Sequence, residues 1–179
     1  MYIRSKGVEG LVILGIDPGY AIVGWGVIDY QGITHRPVAL GAITTQAHTE
    51  FNSRLKQIYD DMVELIEKSR PDVMSIEKLY FNTNTTTAIQ VAQARGVILL
   101  AAEQAHSPVY ESTPLQVKPA VTGYGKALKP QVMEMTRRLL HLKEVPKPDD
   151  TADALAIAIT HTQAAGTGMR DYMMKRGIK

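Results

Sequence analysis

The sequence predicts a single α/β domain built around a mixed β-sheet. Three short apolar segments follow one another near the start, and amphipathic helical segments then alternate with further strands. A length of 179 residues with 45% hydrophobic side chains suits one domain with one buried core. The predicted order is three strands, then helix, strand, helix, strand and two helices.

The first three strands are predicted at residues 11–17, 23–29 and 39–44. The first ends in Asp17-Pro18-Gly19, which is a turn signal, and Gly32 and Pro37 mark the turn region between the second and third strands. Three short strands in succession favour an antiparallel meander.

The following segments predict a crossover connection. Residues 53–69 carry apolar side chains three and four positions apart, which is the pattern of an amphipathic helix, and Pro71 follows its end. Residues 72–77 then form a buried strand. A helix between two strands favours parallel pairing of those strands.

Residues 85–105 are predicted as a long helix that is apolar nearly all round, so we expect it to be covered on two sides. Ala88, Ala92 and Gly96 form a row of small residues that would let another helix approach closely. A helix of the same chain and a partner subunit would both satisfy this row. The remaining predicted elements are a strand at 109–112 and helices at 129–142 and 149–164.

Composition narrows the class of protein. The absence of Cys excludes disulfides and thiolate metal sites and fits a reducing compartment. No apolar run has the length of a membrane span, and residues 1–10 lack the apolar core of a signal peptide. The sequence therefore favours a cytoplasmic protein with an N-terminal extension at 1–10, a folded domain at 11–165 and a flexible tail at 166–179.

Basic residues are concentrated in one part of the chain, although the net charge is only +2. Between residues 118 and 147 only Glu134 and Glu144 oppose them. Such a stripe is typical of a polyanion-binding surface and also of an ordinary solvated helix face. The basic residues of the stripe are Lys118, Lys126, Lys129, Arg137, Arg138, Lys143 and Lys147.

Four acidic residues are the candidate catalytic groups. Asp17 ends the first strand and Glu77 the fourth, so both side chains emerge at one edge if these strands are neighbours. Asp150 and Asp153 are three apart at the start of the last helix and share a face. The helix dipole alone would explain acids in the first turn. Asp153, however, lies among small and apolar residues, where an unpaired carboxylate is costly.

A cluster of carboxylates repels itself unless a cation lies between its members. Oxygen ligands without His or Cys select Mg²⁺ or Mn²⁺. Two such ions about 4 Å apart activate a water molecule and stabilise the leaving oxygen in phosphodiester hydrolysis. The four acids together therefore predict a metal site for phosphodiester hydrolysis.

Five segments resemble the motifs of the RuvC family of Holliday-junction resolvases. They follow one another in the family's order and span nearly the whole chain. The fourth is similar to the family's basic loop. The segments are ILGIDPG at 13–19, SIEKLYF at 75–81, QARG at 93–96, KPAVTGYG at 118–125 and DTADALAIA at 150–158.

The resemblance implies an RNase H-like fold, with a five-stranded mixed sheet flanked by helices. It also implies a homodimer whose two active sites make symmetric paired nicks in a four-way DNA junction during recombination and repair. Asp17, Glu77, Asp150 and Asp153 would be the catalytic residues and would hold two Mg²⁺ per subunit, with Mn²⁺ as a substitute. Partnership with the RuvA–RuvB branch-migration complex is implied as well.

The resemblance further implies DNA contacts for five residues. Tyr80 matches an aromatic position that stacks on an unpaired base at the crossover, and we expect its neighbour Phe81 to be the more buried ring. Lys118 and Lys129 match basic positions that contact phosphates near the cut, and Lys126 would assist them. Ordinary surface lysines are the alternative interpretation.

Two departures and three alternatives remain. Residues 1–10 precede the usual start of the family, and Asp149 adds an acid without an assigned role. A non-catalytic or RNA-acting RuvC-like module is one alternative, and an α/β domain without enzyme activity is another. An actin-like ATPase is disfavoured because Tyr20 and Ala21 lack the hydroxyl of its phosphate loop, and the chain is too short for its two domains.

Overall fold

The computed structural model describes residues 10–79 and 85–164, with the backbone alone at Thr85, Thr86 and Ala164. Residues 1–9 of the extension predicted at 1–10, the aromatic pair Tyr80 and Phe81, and the tail predicted at 166–179 lie outside these residues. The described elements are β1 Leu11–Asp17, β2 Ile22–Gln31, β3 Thr34–Thr44, α1 Phe51–Ser69, β4 Val73–Glu77, α2 Thr85–Gln104, β5 Val109–Ser112, α3 Pro114–Thr122, α4 Lys129–Leu139 and α5 Asp149–Ala164.

The strands form one five-stranded mixed sheet in the order β3-β2-β1-β4-β5. The first three strands are the antiparallel meander that the sequence predicts. After the α1 crossover, β4 pairs in parallel with β1, and β5 pairs in parallel with β4. The predicted neighbourhood of the first and fourth strands is therefore confirmed.

Each face of the sheet is covered by its own group of helices. On β1, Val12, Leu14 and Ile16 pack into the cluster that α1 and α2 cover. Leu11 and Ile13 alternate with them and pack against α3, α4 and α5. Burial of each such side chain stabilises the fold by about 1.5–3 kcal/mol. Two-sided burial explains why β1 reads as a continuous apolar run.

Glycines in β1 and β2 let α5 lie directly on the sheet. A Cβ at Gly15 would be 2.0 Å from the backbone oxygen of Ala154, and a Cβ at Gly24 would be 2.0 Å from that of Asp150. Only a residue without a side chain allows this approach. The close contact fixes the first turns of α5 beside the end of β1.

One helix was absent from the prediction. Residues 118–125 were expected to form a basic loop, but α3 covers Pro114–Thr122 and the turn follows it. Its start carries a capping box between Thr113 and Gln116, with Pro114 at the first helical position. These signals stand in the sequence, but Pro119 inside the segment argues against a helix.

Two predicted boundaries were also wrong. Pro37 does not mark a turn, because β3 begins at Thr34 and Pro37 pairs with Ile28. The proline is tolerated because β3 is an edge strand and the register shifts between Val27 and Ile28. The helix expected at 129–142 ends at Leu139. None of the helices described is long and apolar enough to cross a membrane.

Candidate active site

Two acids lie side by side where β1 and β4 end. The parallel register pairs Ile16 with Ile76, and Asp17 and Glu77 are the next residues along the two strands. Side chains alternate between the faces of a strand, so both acids point to the face opposite Ile16 and Ile76. That face carries α5. The predicted common edge of these two acids is thus present.

The first turn of α5 brings two further acids to this edge. The backbone oxygen of Asp150 lies next to Gly24, and Asp153 follows one helical turn later. The Thr151 hydroxyl donates to the Gly41 backbone oxygen at 3.0 Å and so attaches the start of α5 to β3. The Asp153 side chain is 28% exposed, whereas that of Asp149 is 61% exposed and lies toward solvent.

Lys129 supplies the cation nearest to these acids. It is the first residue of α4, and its Nζ lies 2.8 Å from Asp153 Oδ2 and 3.8 Å from Asp149 Oδ2. The hydrogen bond to Asp153 is the main reason that the pKa of Lys129 is raised. No pattern in the sequence indicates this contact, because it depends on how α4 and α5 pack against each other.

The acids are short of positive charge. Burial, and then the charges of Glu77, Asp153 and Asp150, raise the pKa of Asp17 to about 8, with Lys129 acting in the opposite direction. Burial and the charge of Asp153 also raise the pKa of Glu77. A carboxylate cluster whose pKa values are raised by burial and mutual repulsion is stabilised when it binds a cation.

A cavity of about 210 Å³ opens beside the cluster. Its wall includes Asp17, Glu77 and Asp153 from the acids and Lys118 and Lys129 from the basic stripe. Asp150 stays outside the wall but acts on Asp17 through its charge. Positive side chains beside a cluster of carboxylates suit a phosphate group that approaches a cation.

The donor chemistry fits a divalent metal, although no group of three or more acidic or histidine side chains in residues 10–79 and 85–164 is already arranged around one point. Lys129 stands in contact with Asp153 in the place where a cation is favoured. Carboxylate oxygens are the ligands of Mg²⁺ and Mn²⁺, and the raised pKa of Asp17 reports the repulsion that a cation would relieve.

The predicted DNA-contact residues fall into two groups. Lys118 and Lys129 line the cavity, and Lys126 is exposed in the turn between α3 and α4. Tyr80 and Phe81 lie outside the described residues. Part of the basic stripe is neutralised, because Glu134 accepts hydrogen bonds from both Arg137 and Arg138. The positive charge of the surface beside the cavity therefore comes mainly from its lysines.

Comparison with known proteins assigns the family. The model of the family described as crossover junction endodeoxyribonuclease RuvC matches residues 13–161, a span that contains all four acids. Curated proteins with that name include one from Brevibacillus brevis, 65% identical over 84% of this chain and 91% of its own length. Another, from Halothermothrix orenii, is 58% identical over 84% of this chain and 92% of its length.

Solved structures agree. RuvC of T. thermophilus in complex with a Holliday junction substrate is 37% identical, with a TM-score of 0.84 over 88% of this chain and 96% of that chain. This similarity confirms the RNase H-like fold that the five motifs imply. The chain belongs to the RuvC family of crossover junction endodeoxyribonucleases.

Proposed function

We propose that this protein is a Holliday-junction resolvase that makes paired, symmetric nicks in four-way DNA junctions during recombination and repair. The observation that carries the proposal is the group of acids at the ends of β1 and β4, where the pKa of Asp17 is raised to about 8. Its family membership and the junction bound to T. thermophilus RuvC support the choice of substrate.

In this mechanism Asp17, Glu77, Asp150 and Asp153 would be the catalytic residues and would hold two Mg²⁺ per subunit, which Mn²⁺ could replace. Bound divalent ions make water a stronger nucleophile and neutralise charge on the scissile phosphate. The strands hold Asp17 and Glu77 rigidly, and α5 presents Asp150 and Asp153 from one helical face. This rigidity keeps the reacting groups oriented before the DNA arrives.

The lysines position the DNA. Lys118 and Lys129 line the cavity and would contact the phosphates that flank the cut, and Lys126 would contact the backbone farther out. Tyr80 and Phe81 follow Glu77 by a few residues, and by resemblance to the family the ring of Tyr80 would stack on an unpaired base at the crossover. We expect Tyr80→Ala to weaken cleavage more than junction binding, and equal losses would contradict the stacking role.

A homodimer would deliver the two nicks. On α2, Ile89 is 58% and Leu100 50% exposed, and Gly96 has open space where a side chain would be. Together with Ala88 and Ala92, these residues offer a small, apolar helix face to a second copy. Two sites related by a twofold axis would meet opposite strands of a symmetric junction.

Family resemblance supplies two further proposals. The resolvase would act with the RuvA–RuvB branch-migration complex, which would present the junction to the dimer. It would work in the cytoplasm, since its chromosomal substrate lies there in bacteria such as those from which the relatives come.

A cleavage assay tests the proposal. A synthetic mobile four-way junction and a linear duplex of matched sequence are incubated with the protein in Mg²⁺ or in EDTA. We expect symmetric nicks in the junction alone and only with Mg²⁺. Asp153→Asn should abolish cleavage and spare junction binding, whereas Asp60→Asn, an exposed acid on α1, should behave like the wild type.

Other outcomes would redirect the proposal. Junction binding without any cleavage would favour the non-catalytic module. Cleavage of RNA or of the linear duplex in place of the junction would preserve the metal site and overturn the substrate.

A further inference from the structure

Arg95 of α2 reaches the end of β4 from the side opposite the cavity. Its Nε donates a hydrogen bond to the backbone oxygen of Glu77 at 3.2 Å, and its Nη2 pairs with the carboxylate of Glu111 on β5. The Arg95 side chain is only 14% exposed. One guanidinium therefore joins α2, β4 and β5 at the position where the catalytic acid leaves the sheet.

Glu77 needs external support at this position. The sheet ends here, because β4 stops at Glu77 and the hydrogen bond from Lys78 N to the Ser112 backbone oxygen at 2.8 Å is the next contact along the chain. Within residues 10–79 and 85–164, no side chain donates a hydrogen bond to the Glu77 carboxylate. Its neighbours in the cluster, Asp17 and Asp153, repel it.

Arg95 and the Glu77 carboxylate lie on different sides of the sheet. Ala94 and Ile98 of α2 pack in the same layer as Ile76, while Glu77 points to the α5 side. Arg95 therefore cannot touch a phosphate or a metal in the cavity. It can act on the reaction only by fixing the peptide plane that follows Glu77 and hence the direction of the Glu77 side chain.

The salt bridge makes this anchor stiff. A planar guanidinium held by the Glu111 carboxylate keeps its Nε–H aimed at one carbonyl, which a flexible ammonium group cannot do. Ser75, two residues before Glu77, is held from the other face by a hydrogen bond from its hydroxyl to the Ile157 backbone oxygen at 3.3 Å. The last residues of β4 are thus clamped between α2 and α5.

We infer that Arg95 is a positioning residue, which orients Glu77 through its backbone carbonyl so that the carboxylate is placed to bind the divalent metal. The inference rests on the proposed function for the identity of that metal site. Partners that orient a metal ligand typically change metal affinity or activity about 10–100-fold when they are removed.

Four variants test this inference. Arg95→Met removes the charge and both hydrogen bonds at similar volume, Arg95→Lys keeps the charge, and Glu111→Gln removes only the ionic partner. Lys68→Met is the matched control, since it removes an exposed helix ion pair with Glu64 far from the acids. The measurements are Mn²⁺ affinity by electron paramagnetic resonance, single-turnover cleavage against Mg²⁺ concentration, junction affinity in EDTA, and thermal unfolding.

We expect Arg95→Met to weaken Mn²⁺ binding about 10-fold and to slow cleavage about 10–100-fold. Junction affinity in EDTA should stay within about twofold, because no DNA contact is lost. Arg95→Lys should recover part of the Mn²⁺ affinity and part of the cleavage rate. Glu111→Gln should lower the Mn²⁺ affinity and the cleavage rate about threefold. Lys68→Met should match the wild type in both. A purely structural role would lower the unfolding temperature without moving Mn²⁺ affinity of the folded protein.

Two results would overturn the inference. One is wild-type Mn²⁺ affinity and cleavage in Arg95→Met; the other, if that variant fails to fold, is wild-type behaviour in Glu111→Gln. The outcome is separable from the proposed function. If the wild type binds Mn²⁺ but does not cut the junction, the substrate proposal fails, and the Mn²⁺ affinities of the variants still decide the role of Arg95.

Discussion

At the edge of the sheet where β1 and β4 begin, Asp72 is 8% exposed and its carboxylate accepts a hydrogen bond from the Val12 backbone N–H at 2.9 Å. At the edge where the same strands end, Asp17 is also largely buried but faces other carboxylates. At the first edge, the Asp72 carboxylate is stabilised by a backbone N–H donor. At the second edge the pKa of Asp17 is raised to about 8 even with Lys129 beside the cluster, so an added cation would stabilise it.

The contrast separates a structural carboxylate, Asp72, from a proposed metal ligand, Asp17. The Asp72 backbone N–H also donates a hydrogen bond to the Val12 backbone oxygen at 2.8 Å, so Asp72 joins the start of β4 to β1. Removal of Asp72 should therefore cost stability, and removal of Asp17 should cost activity and gain stability.

Asp17→Asn should have the largest effect. Cleavage should be lost as in Asp153→Asn, with a fall of at least about 1,000-fold, because several kcal/mol of transition-state stabilisation is lost with the metal ligand. The metal-free variant should melt a few degrees higher than the wild type at pH 8, by about 2–4 °C for each kcal/mol of relieved repulsion.

The pH dependence has a definite sign. Asp17 ionises near 3.8 when unfolded and near 8 when folded, so the folded protein holds its proton through this window. The metal-free wild type therefore loses stability as the pH rises from about 4 to 8, and the advantage of Asp17→Asn should grow over the same range. Calorimetry in EDTA at several pH values measures this, and a constant difference between the two proteins would contradict it.

Gly24→Ala should have the next largest effect. The new Cβ would lie 2.0 Å from the Asp150 backbone oxygen, so the first turn of α5 must move away from β2. A displacement of about 1 Å at a reacting group costs about 100-fold in rate. Cleavage by the folded variant measures this loss. Gly125→Ala, which has open space around its Cβ, is the control and should retain its fold.

Asp72→Ala should act at the opposite edge and on stability alone. It leaves the Val12 N–H without its carboxylate partner, which costs about 1–3 kcal/mol. Chemical unfolding gives this value. The cleavage rate of the folded fraction should stay at the wild-type level, and a rate loss larger than the loss of folded protein would show that the two edges are not independent.

Lys118→Gln should have the smallest effect. One phosphate contact fewer should reduce the slope of log affinity against log salt by about 1 and weaken junction binding a few-fold at moderate salt. Fluorescence anisotropy across a salt series measures both quantities. The control is Lys68→Gln, and an unchanged salt slope for Lys118→Gln would remove Lys118 from the DNA-binding surface.

Local sequence patterns were sufficient for much of this molecule. The bounds of β1, β5 and α5 agree with the prediction because each has a clear apolar pattern and a turn or cap beside it. The convergence of Asp17 with Glu77 follows from strand ends and from parallel pairing. These features depend on residues close together in the chain and on general rules of connection.

Features that depend on packing could not be predicted in this way. The contact of Lys129 with Asp153 joins two helices whose relative position is set by the core. Arg95 is separated in sequence from Glu77 by 18 positions and from Glu111 by 16, and no periodic pattern in the sequence predicts either contact. The α3 helix was missed because residues 118–125 were interpreted as a basic loop, although the capping box at Thr113 and Gln116 lies in the sequence.

The position of α5 in the chain determines when the active site can exist. The ribosome makes β1, β2 and β4 first, and one face of each stays uncovered until α5, the last described element, has left the exit tunnel. Asp150 and Asp153 arrive on that same helix. Completion of the core and completion of the acid cluster are therefore one event, and a nascent chain without α5 carries Asp17 and Glu77 but not the full set of proposed metal ligands.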